Sequence, residues 1–212
     1  MVKDDGFVSI SNHVHYLDCA MIGVLYYPRR VFYPTLEDNF KIPVVRWLIR
    51  ILYAMPILHD RKGKDRFYNE IKEAFKSRFI LHMYPEAALW PYYEGICDFK
   101  YGVFKIAIDS NVCVQPVRFV FVKRKGIYKI IKRKKCIKAV ILDHVYPDMT
   151  LEYKERINDL MVRTYEKMNE VIVWKYWYYP VVQVVVIIHV LDILRVNLKV
   201  MTFLVILKII MI

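Results

Sequence analysis

The sequence predicts a single α/β domain in which a mixed, mainly parallel β-sheet is flanked by helices. Short apolar runs rich in β-branched residues alternate with segments of helical length. The connections between them are short, as in other layered domains. This alternation favours parallel strands, because parallel neighbours are joined by helical crossovers. We expect the domain to cover residues 1–178 and an apolar C-terminal tail to follow at residues 179–212.

Most of the predicted elements come in strand and helix pairs along the first half of the chain. Strands are predicted from short β-branched or aromatic runs at Phe7–Ile10, Arg30–Tyr33, Pro56–His59, Arg78–Met83 and Val114–Val122. Helices are predicted from length and apolar spacing at Leu17–Tyr26, Val44–Tyr53, Arg66–Lys76 and Tyr101–Ser110.

A sixth strand, Cys136–Leu142, is predicted to pair with Val114–Val122 as a hairpin. Lysines and arginines crowd the segment between these strands, at residues 123–135. Dense positive charge of this kind binds phosphate, either in nucleic acid or on an anionic membrane. The charge of the hairpin by itself does not distinguish nucleic acid from an anionic membrane as the partner.

The C-terminal part begins with a predicted amphipathic helix and continues as the apolar tail. Apolar residues recur every three or four positions across Thr150–Ile172, and Glu152 and Glu155 lie near the helix start. Charged residues interrupt the tail before any apolar run reaches the ~18 residues of a simple transmembrane helix. The tail is therefore either an interfacial helix or a segment packed on the domain.

Composition excludes several classes of protein. The chain has 33 Lys and Arg against 21 Asp and Glu, a formal net charge of +12, and its 57% hydrophobic content excludes wholesale disorder. It has only 6 glycines and contains none of the glycine motifs of dinucleotide folds, P-loop NTPases or nucleophile-elbow hydrolases. The four cysteines have no metal-ligand spacing. With no export signal expected, we predict a cytoplasmic, reducing environment.

The most informative pattern is N-H-x-x-x-x-D, formed by Asn12, His13 and Asp18 at the start of the first predicted helix. Within one helix, residues five apart lie about 140° apart, so His13 can meet Asp18 only from the turn before the helix. A carboxylate on one imidazole nitrogen leaves the other free to take a proton from a hydroxyl. Taken alone, the spacing also fits a solvated loop pair.

Two further motifs follow predicted strands. The segment Tyr84–Trp90 places Glu86 directly after a buried strand, and the run from Ile57 to Arg61 ends another strand with an arginine. Arginine is suited to two-pronged phosphate binding, and open α/β sheets build their sites at strand carboxyl ends. We expect the three strand ends to converge on one crevice.

These motifs resemble those of the glycerolipid acyltransferases of the lysophosphatidic acid acyltransferase type. That family carries an H-x-x-x-x-D motif, an arginine motif, an F-P-E-G-type motif and a proline motif, which match here in order at His13–Asp18, Arg61, Tyr84–Leu89 and Val114–Val117. The resemblance implies a glycerol-3-phosphate-acyltransferase-like fold. It also implies that His13 is the general base with Asp18 as its partner. The substrate-binding residues that it implies are Arg61 for the acceptor phosphate, Glu86 to order the site, Asn12, Pro85 and Ala87.

The implied activity is transfer of a fatty acyl group from acyl-CoA or acyl-ACP to a lysophospholipid hydroxyl. The expected acceptor is 1-acyl-glycerol-3-phosphate, which would give phosphatidic acid. No bound cofactor or metal is implied, and the implied partners are an anionic membrane surface on the cytoplasmic side and, for acyl-ACP, the carrier protein. The chain departs from the family at Ala87, Ala88 and Leu89, where Gly, Thr and Arg are usual. The alternative is a non-catalytic basic protein that binds a membrane surface or nucleic acid, although we expect no nucleic acid.

Overall fold

The computed structural model describes residues 6–41, 43, 46, 54–58, 60–122 and 136–171. The basic segment 123–135, the tail 179–212 and, apart from residue 46, the predicted helix Val44–Tyr53 lie outside these residues. The elements are β1 (Phe7–Ser11), α1 (Asp18–Tyr26), β2 (Val31–Leu36), a 3₁₀ helix (Glu37–Lys41), β3 (Ala54–Ile57), α2 (Arg61–Lys76), β4 (Ile80–Met83), α3 (Gly102–Asp109), β5 (Val114–Val122), β6 (Cys136–Ile141) and α4 (Tyr153–Asn169).

The six described strands form one sheet in the order β3-β2-β4-β1-β5-β6. β1 pairs in parallel with both β4 and β5, β2 pairs in parallel with β3 and β4, and only β6 is antiparallel to its neighbour. The predicted α/β fold with a mixed, mainly parallel sheet is therefore confirmed. Because β1 and β4 are parallel neighbours, the segments after their carboxyl ends leave the sheet side by side.

Helices cover both faces of the sheet, because apolar side chains alternate along the central strands. On one face, Ile22 of α1 packs with Phe7, Val117 and Phe119 of the sheet. On the opposite face, the apolar sides of α2, α3 and α4 cover the other side chains of β1. That second core includes the buried residues Val8, Ile10, Ile71, Phe104 and Leu160.

The largest difference from the sequence prediction is at the start of α2. This helix begins at Arg61, five residues earlier than expected, because Asp60 caps it by accepting a hydrogen bond from the backbone N–H of Gly63. Arg61 therefore opens a helix rather than ending a strand. Gly63 is needed in this turn, since a Cβ there would lie 2.3 Å from the Cβ of Leu58.

Other boundaries move by a few residues. β4 starts at Ile80 rather than Arg78, because Arg78 has a φ of 65° in the turn after α2. α4 ends at Asn169, three residues before the predicted end. Its Leu160 and Met168 are fully buried, as its apolar spacing predicts.

Candidate active site

The turn between β1 and α1 is organised around one carboxylate oxygen. Oδ2 of Asp18 accepts hydrogen bonds from Nδ1 of His13 at 3.0 Å and from the backbone N–H groups of Val14 at 2.7 Å and His15 at 2.9 Å. His13 lies in the turn before α1 and folds back onto Asp18, as the five-residue spacing requires. The expected contact between these two side chains is present.

This contact defines the tautomer of the neutral His13 ring. The Asp18 side chain is fully buried, whereas that of His13 is 21% exposed. Since a carboxylate accepts the bond, the proton resides on Nδ1 and the lone pair on Nε2. Nε2 has no hydrogen-bond partner among the described residues, so it can accept a proton from a bound molecule.

Asn12 is buried beneath this turn and bonds to the neighbouring strand. Its amide Nδ2 donates to the carbonyl of Phe119 at 3.0 Å, and its Oδ1 accepts from the N–H of Phe119 at 2.8 Å. Both polar atoms of the Asn12 amide are thus hydrogen-bonded to the backbone of β5. The structure gives Asn12 the task of fixing the carboxyl end of β1, which sets the position of His13.

Glu86 joins the loop after β4 to the His13 turn. Oε2 of Glu86 accepts from the His13 backbone N–H at 3.2 Å, and Oε1 accepts from that of Cys97 at 2.9 Å. Burial raises the pKa of Glu86, while the two N–H donors and the charge of Arg118 oppose that rise. Arg118 also donates to the carbonyls of Glu94 and Gly95, so it steadies the same loop.

The other two residues implied by the glutamate motif have different surroundings. Pro85 is buried, and its carbonyl accepts from the N–H of Lys100 at 2.8 Å. Ala87 is exposed and has a φ of 55°, in the left-handed region, where it closes a turn with the carbonyl of Tyr84. This is the position at which the family usually has glycine, the residue that adopts such a φ most readily.

Arg61 lies apart from this group. It is exposed in the first turn of α2, and it forms no hydrogen bond or ion pair within the described part of the chain. β3 and β1 are separated by β2 and β4, so their carboxyl ends lie about 14 Å apart, or three strand spacings. The expectation that three strand ends meet is therefore wrong in part: β1 and β4 meet, and β3 is at the edge of the sheet.

Sequence reasoning missed two residues beneath the site. The Tyr84 ring stacks on the His13 ring, with centroids 3.9 Å apart, and the buried His82 touches Tyr84. The alternation along β4 is the signal that could have found them, because His82 and Tyr84 lie on the face that also carries Ser9 and Ser11 of β1.

The aromatic residues after the glutamate motif divide into two groups. Phe99 packs against Phe104 and Tyr165, as expected of a core residue. Trp90, Tyr92 and Tyr93 are 46%, 53% and 47% exposed. The backbone N–H groups of Trp90 and Tyr92 bond to the carbonyls of His13 and Val14, which places these side chains around the site.

Neither a metal site nor a membrane-spanning element is found in the described ranges. No three His, Cys, Asp or Glu side chains come together there in a way that could hold a metal ion. Nor do those ranges contain a helix with the length and apolar character needed to cross a bilayer.

Comparisons with known proteins agree with this geometry. The model of the acyltransferase family matches residues 1–120. Among solved structures, the chain is similar to the 1-acyl-sn-glycerophosphate (LPA) acyltransferase PlsC from Thermotoga maritima. The TM-score is 0.53 and the sequence identity 23%, over 79% of this chain and 67% of that one, so this likeness concerns the fold. No curated protein sequence matches significantly. The family match covers more than half of the chain and includes both the His13 turn and the Glu86 loop, and the chain belongs to the acyltransferase family.

Proposed function

We propose that the protein moves a fatty acyl group from an acyl thioester, acyl-CoA or acyl-ACP, to the free hydroxyl of a lysophospholipid. The proposed acceptor is 1-acyl-glycerol-3-phosphate, and the product is phosphatidic acid. The observation that carries this proposal is the 3.0 Å contact between Nδ1 of His13 and the buried Asp18, which leaves Nε2 as a base. Membership of the acyltransferase family and similarity to a protein described as an LPA acyltransferase support it.

The proposed reaction passes one proton through His13. Nε2 takes the hydroxyl proton as the acceptor oxygen attacks the thioester carbonyl, and a C–O bond forms. The tetrahedral intermediate then expels the thiolate, the C–S bond breaks, and the imidazolium returns the proton to sulfur. Asp18 stabilises the imidazolium through the Nδ1 bond. General base catalysis of this kind contributes ~10²–10⁴-fold, and orientation of the two substrates supplies much of the rest.

In this proposal Arg61 binds the phosphate of the acceptor. Ala88 and Leu89 carry neither the hydroxyl nor the cation usual in the family, so the charge for a phosphate must come from outside that motif. Arg61 is exposed. It follows the carboxyl end of β3, at the same end of the parallel strands as His13. The hydroxyl and the phosphate of this acceptor are on adjacent carbons, so the Arg61 side chain would have to extend across the ends of β2 and β4 to reach a phosphate whose neighbouring hydroxyl lies at His13.

We further propose that the protein works as a peripheral or monotopic protein on the cytoplasmic face of an anionic membrane. The net charge of +12 favours binding to anionic lipid. Exposed Trp and Tyr side chains beside the site, among them Trp90 and Tyr93, are of the kind that occupies membrane interfaces.

The activity is tested by incubating the protein with a labelled acyl-CoA or a labelled acyl-ACP and a panel of lysolipids. Mass spectrometry then identifies the acylated products. We expect wild-type turnover with phosphate-bearing acceptors and its loss, by at least about 10²-fold, in His13→Ala. His15→Ala is the matched control, since it removes a neighbouring imidazole whose Nδ1 accepts a hydrogen bond from the backbone N–H of Leu17. A near-normal rate in His13→Ala, or loss only in His15→Ala, would contradict the assignment.

The non-catalytic alternative makes the opposite prediction in the same assay. A folded wild-type protein that transfers no acyl group with any pair of substrates would be a binding protein. Flotation with anionic liposomes, compared with retention of DNA and RNA at matched salt, would then identify its partner.

A further inference from the structure

Tyr84 lies against the His13 ring in a geometry that restrains it. The two ring centroids are 3.9 Å apart and the planes are inclined by only 16°. Besides its covalent link through Cβ, the His13 ring is held within the described part of the chain by a single hydrogen bond at Nδ1, so rotation about the Cβ–Cγ bond is opposed by that bond. A parallel ring in van der Waals contact opposes the same rotation.

The hydroxyl end of Tyr84 is itself anchored to the helix that carries Asp18. The Tyr84 hydroxyl and the Cys19 thiol share a hydrogen bond of 3.2 Å. Burial raises the pKa of both groups, so both stay neutral and the bond persists at neutral pH. Cys19 follows Asp18 directly in α1, so one helix carries both the hydrogen-bond acceptor of His13 Nδ1 and the anchor of the Tyr84 hydroxyl.

The edge of Tyr84 is held by a neutral histidine. The His82 ring lies 4.9 Å from the Tyr84 ring at 80° to it, and its two nitrogens bond to the hydroxyls of Ser9 at 3.0 Å and Ser11 at 3.2 Å. Burial, followed by the charge on His13, lowers the pKa of His82 to about 3. His82 thus stays uncharged when His13 takes up a proton.

We propose that Tyr84 is a positioning residue that holds the His13 imidazole in the plane in which Nδ1 meets Asp18 and Nε2 faces the substrate hydroxyl. The inference rests on the proposed role of His13 as the general base. Its physical basis is that a base misplaced by about 1 Å loses up to ~10²-fold in rate even where binding is unchanged.

The test compares three variants of the full chain. Tyr84→Leu removes the stacked ring, and Tyr84→Phe keeps the ring but not the hydroxyl. Tyr33→Leu is the matched control. Tyr33 is buried, and like Tyr84 it bonds to Cys19 through its hydroxyl and touches His82, yet it does not stack on His13. Circular dichroism and thermal unfolding record the fold, and Tyr84→Met replaces Tyr84→Leu if that variant does not fold.

Turnover is the first measurement. We expect kcat to fall about 10- to 100-fold in Tyr84→Leu with KM changed less than about threefold. Tyr84→Phe keeps the stacked ring but loses the bond to Cys19, so its kcat should fall less than that of Tyr84→Leu, while Tyr33→Leu should keep kcat within about threefold. An equal loss of kcat in Tyr84→Leu and Tyr33→Leu would reduce Tyr84 to a packing residue. A rise in KM alone would make it a substrate contact, and either result overturns the proposal.

The second measurement does not depend on turnover. In protein labelled with ¹⁵N-histidine, the His13 signals are assigned by their loss in His13→Gln, and the long-range ¹H–¹⁵N spectrum reports which ring nitrogen carries the proton. We expect a single Nδ1–H form in the wild type, in Tyr84→Phe and in Tyr33→Leu, and a mixture in Tyr84→Leu. An unchanged single form in Tyr84→Leu overturns the proposal. If the wild type transfers no acyl group, the proposed function fails while this spectrum still decides the role of Tyr84.

Discussion

At the scale of single residues, Asp18 does more than orient a histidine. Three N–H groups converge on its Oδ2, and two of them belong to the backbone of the turn that carries His13. Its Oδ1 is buried and has no hydrogen-bond partner among the described residues. One oxygen of Asp18 therefore accepts hydrogen bonds both from the backbone of the turn and from Nδ1 of the His13 ring. It stabilises the turn and sets the tautomer of the ring at the same time.

Ala87 has a backbone conformation better suited to glycine. Its φ of 55° costs an L-residue roughly 1 kcal/mol, a cost that glycine avoids. We therefore expect Ala87→Gly to raise the free energy of unfolding by up to about 1 kcal/mol, as measured by urea unfolding.

Ala88→Gly is the matched control, since Ala88 is also exposed but has no positive φ. There glycine only adds entropy to the unfolded chain, so this variant should lose about 0.5–1 kcal/mol. Destabilisation of equal size in both variants would show that the turn at Ala87 carries no strain.

At the scale of elements, α2 brings Arg61 to the edge of the site. We expect Arg61→Ala to weaken the use of phosphate-bearing acceptors by about tenfold or more in kcat/KM, because a charge-assisted bond to phosphate is lost. Turnover of acceptors that lack phosphate should change little. Paired kinetics with the two kinds of acceptor measure the difference.

Arg66→Ala is the control for charge alone. Arg66 is exposed on the same helix but lies about 140° around it from Arg61. Equal losses with both kinds of acceptor in Arg61→Ala, or the same pattern in Arg66→Ala, would remove Arg61 from phosphate binding.

His82 links β4 to β1 and makes their pairing sensitive to pH. Its pKa is lowered to about 3, mainly by burial, so the unfolded chain binds a proton between about pH 6.5 and 3 that the folded chain does not. Stability from this group is complete above about pH 6.5 and is lost as the pH falls. The contribution of His82 to the free energy of unfolding should decrease by about 2 kcal/mol from pH 7 to pH 5.

Unfolding of the wild type and of His82→Gln at several pH values measures that contribution. The variant stays neutral, so its stability should fall less steeply over the same range. Parallel curves for the two proteins would show that folding does not lower the pKa of His82.

At the scale of the whole molecule, the exposed aromatics beside the site and the net charge are proposed to act together on a membrane. We expect Trp90→Ser with Tyr93→Ser to lower partitioning onto anionic vesicles about tenfold, which corresponds to about 1.4 kcal/mol of lost interfacial burial. Co-sedimentation at fixed salt gives the partition coefficient.

Tyr27→Ser with Tyr146→Ser is the matched pair. Both tyrosines are at least as exposed as Trp90 and Tyr93, at 80% and 50%, but they do not follow the glutamate motif. Any contribution of the tail is the same in both double variants. An equal drop in partitioning for the two pairs would show that the aromatics around the site have no special role at the membrane.

By itself, the sequence determined the layered α/β class, most strand positions and the one place, the turn before α1, from which His13 can meet Asp18. These depend on apolar periodicity and on spacing within one turn, which a single chain displays directly. The sequence also contains the signal for the start of α2, because Asp60 is a residue type that caps helices, although the helix was predicted to begin later.

Only the tertiary structure decided the order of the strands, which places two strands, β2 and β4, between β3 and β1. It alone placed Tyr84 on the His13 ring and bonded Glu86 to the His13 backbone. Such contacts join residues about seventy positions apart. They depend on how the helical crossovers pack on the sheet, and no local pattern in the sequence records that packing.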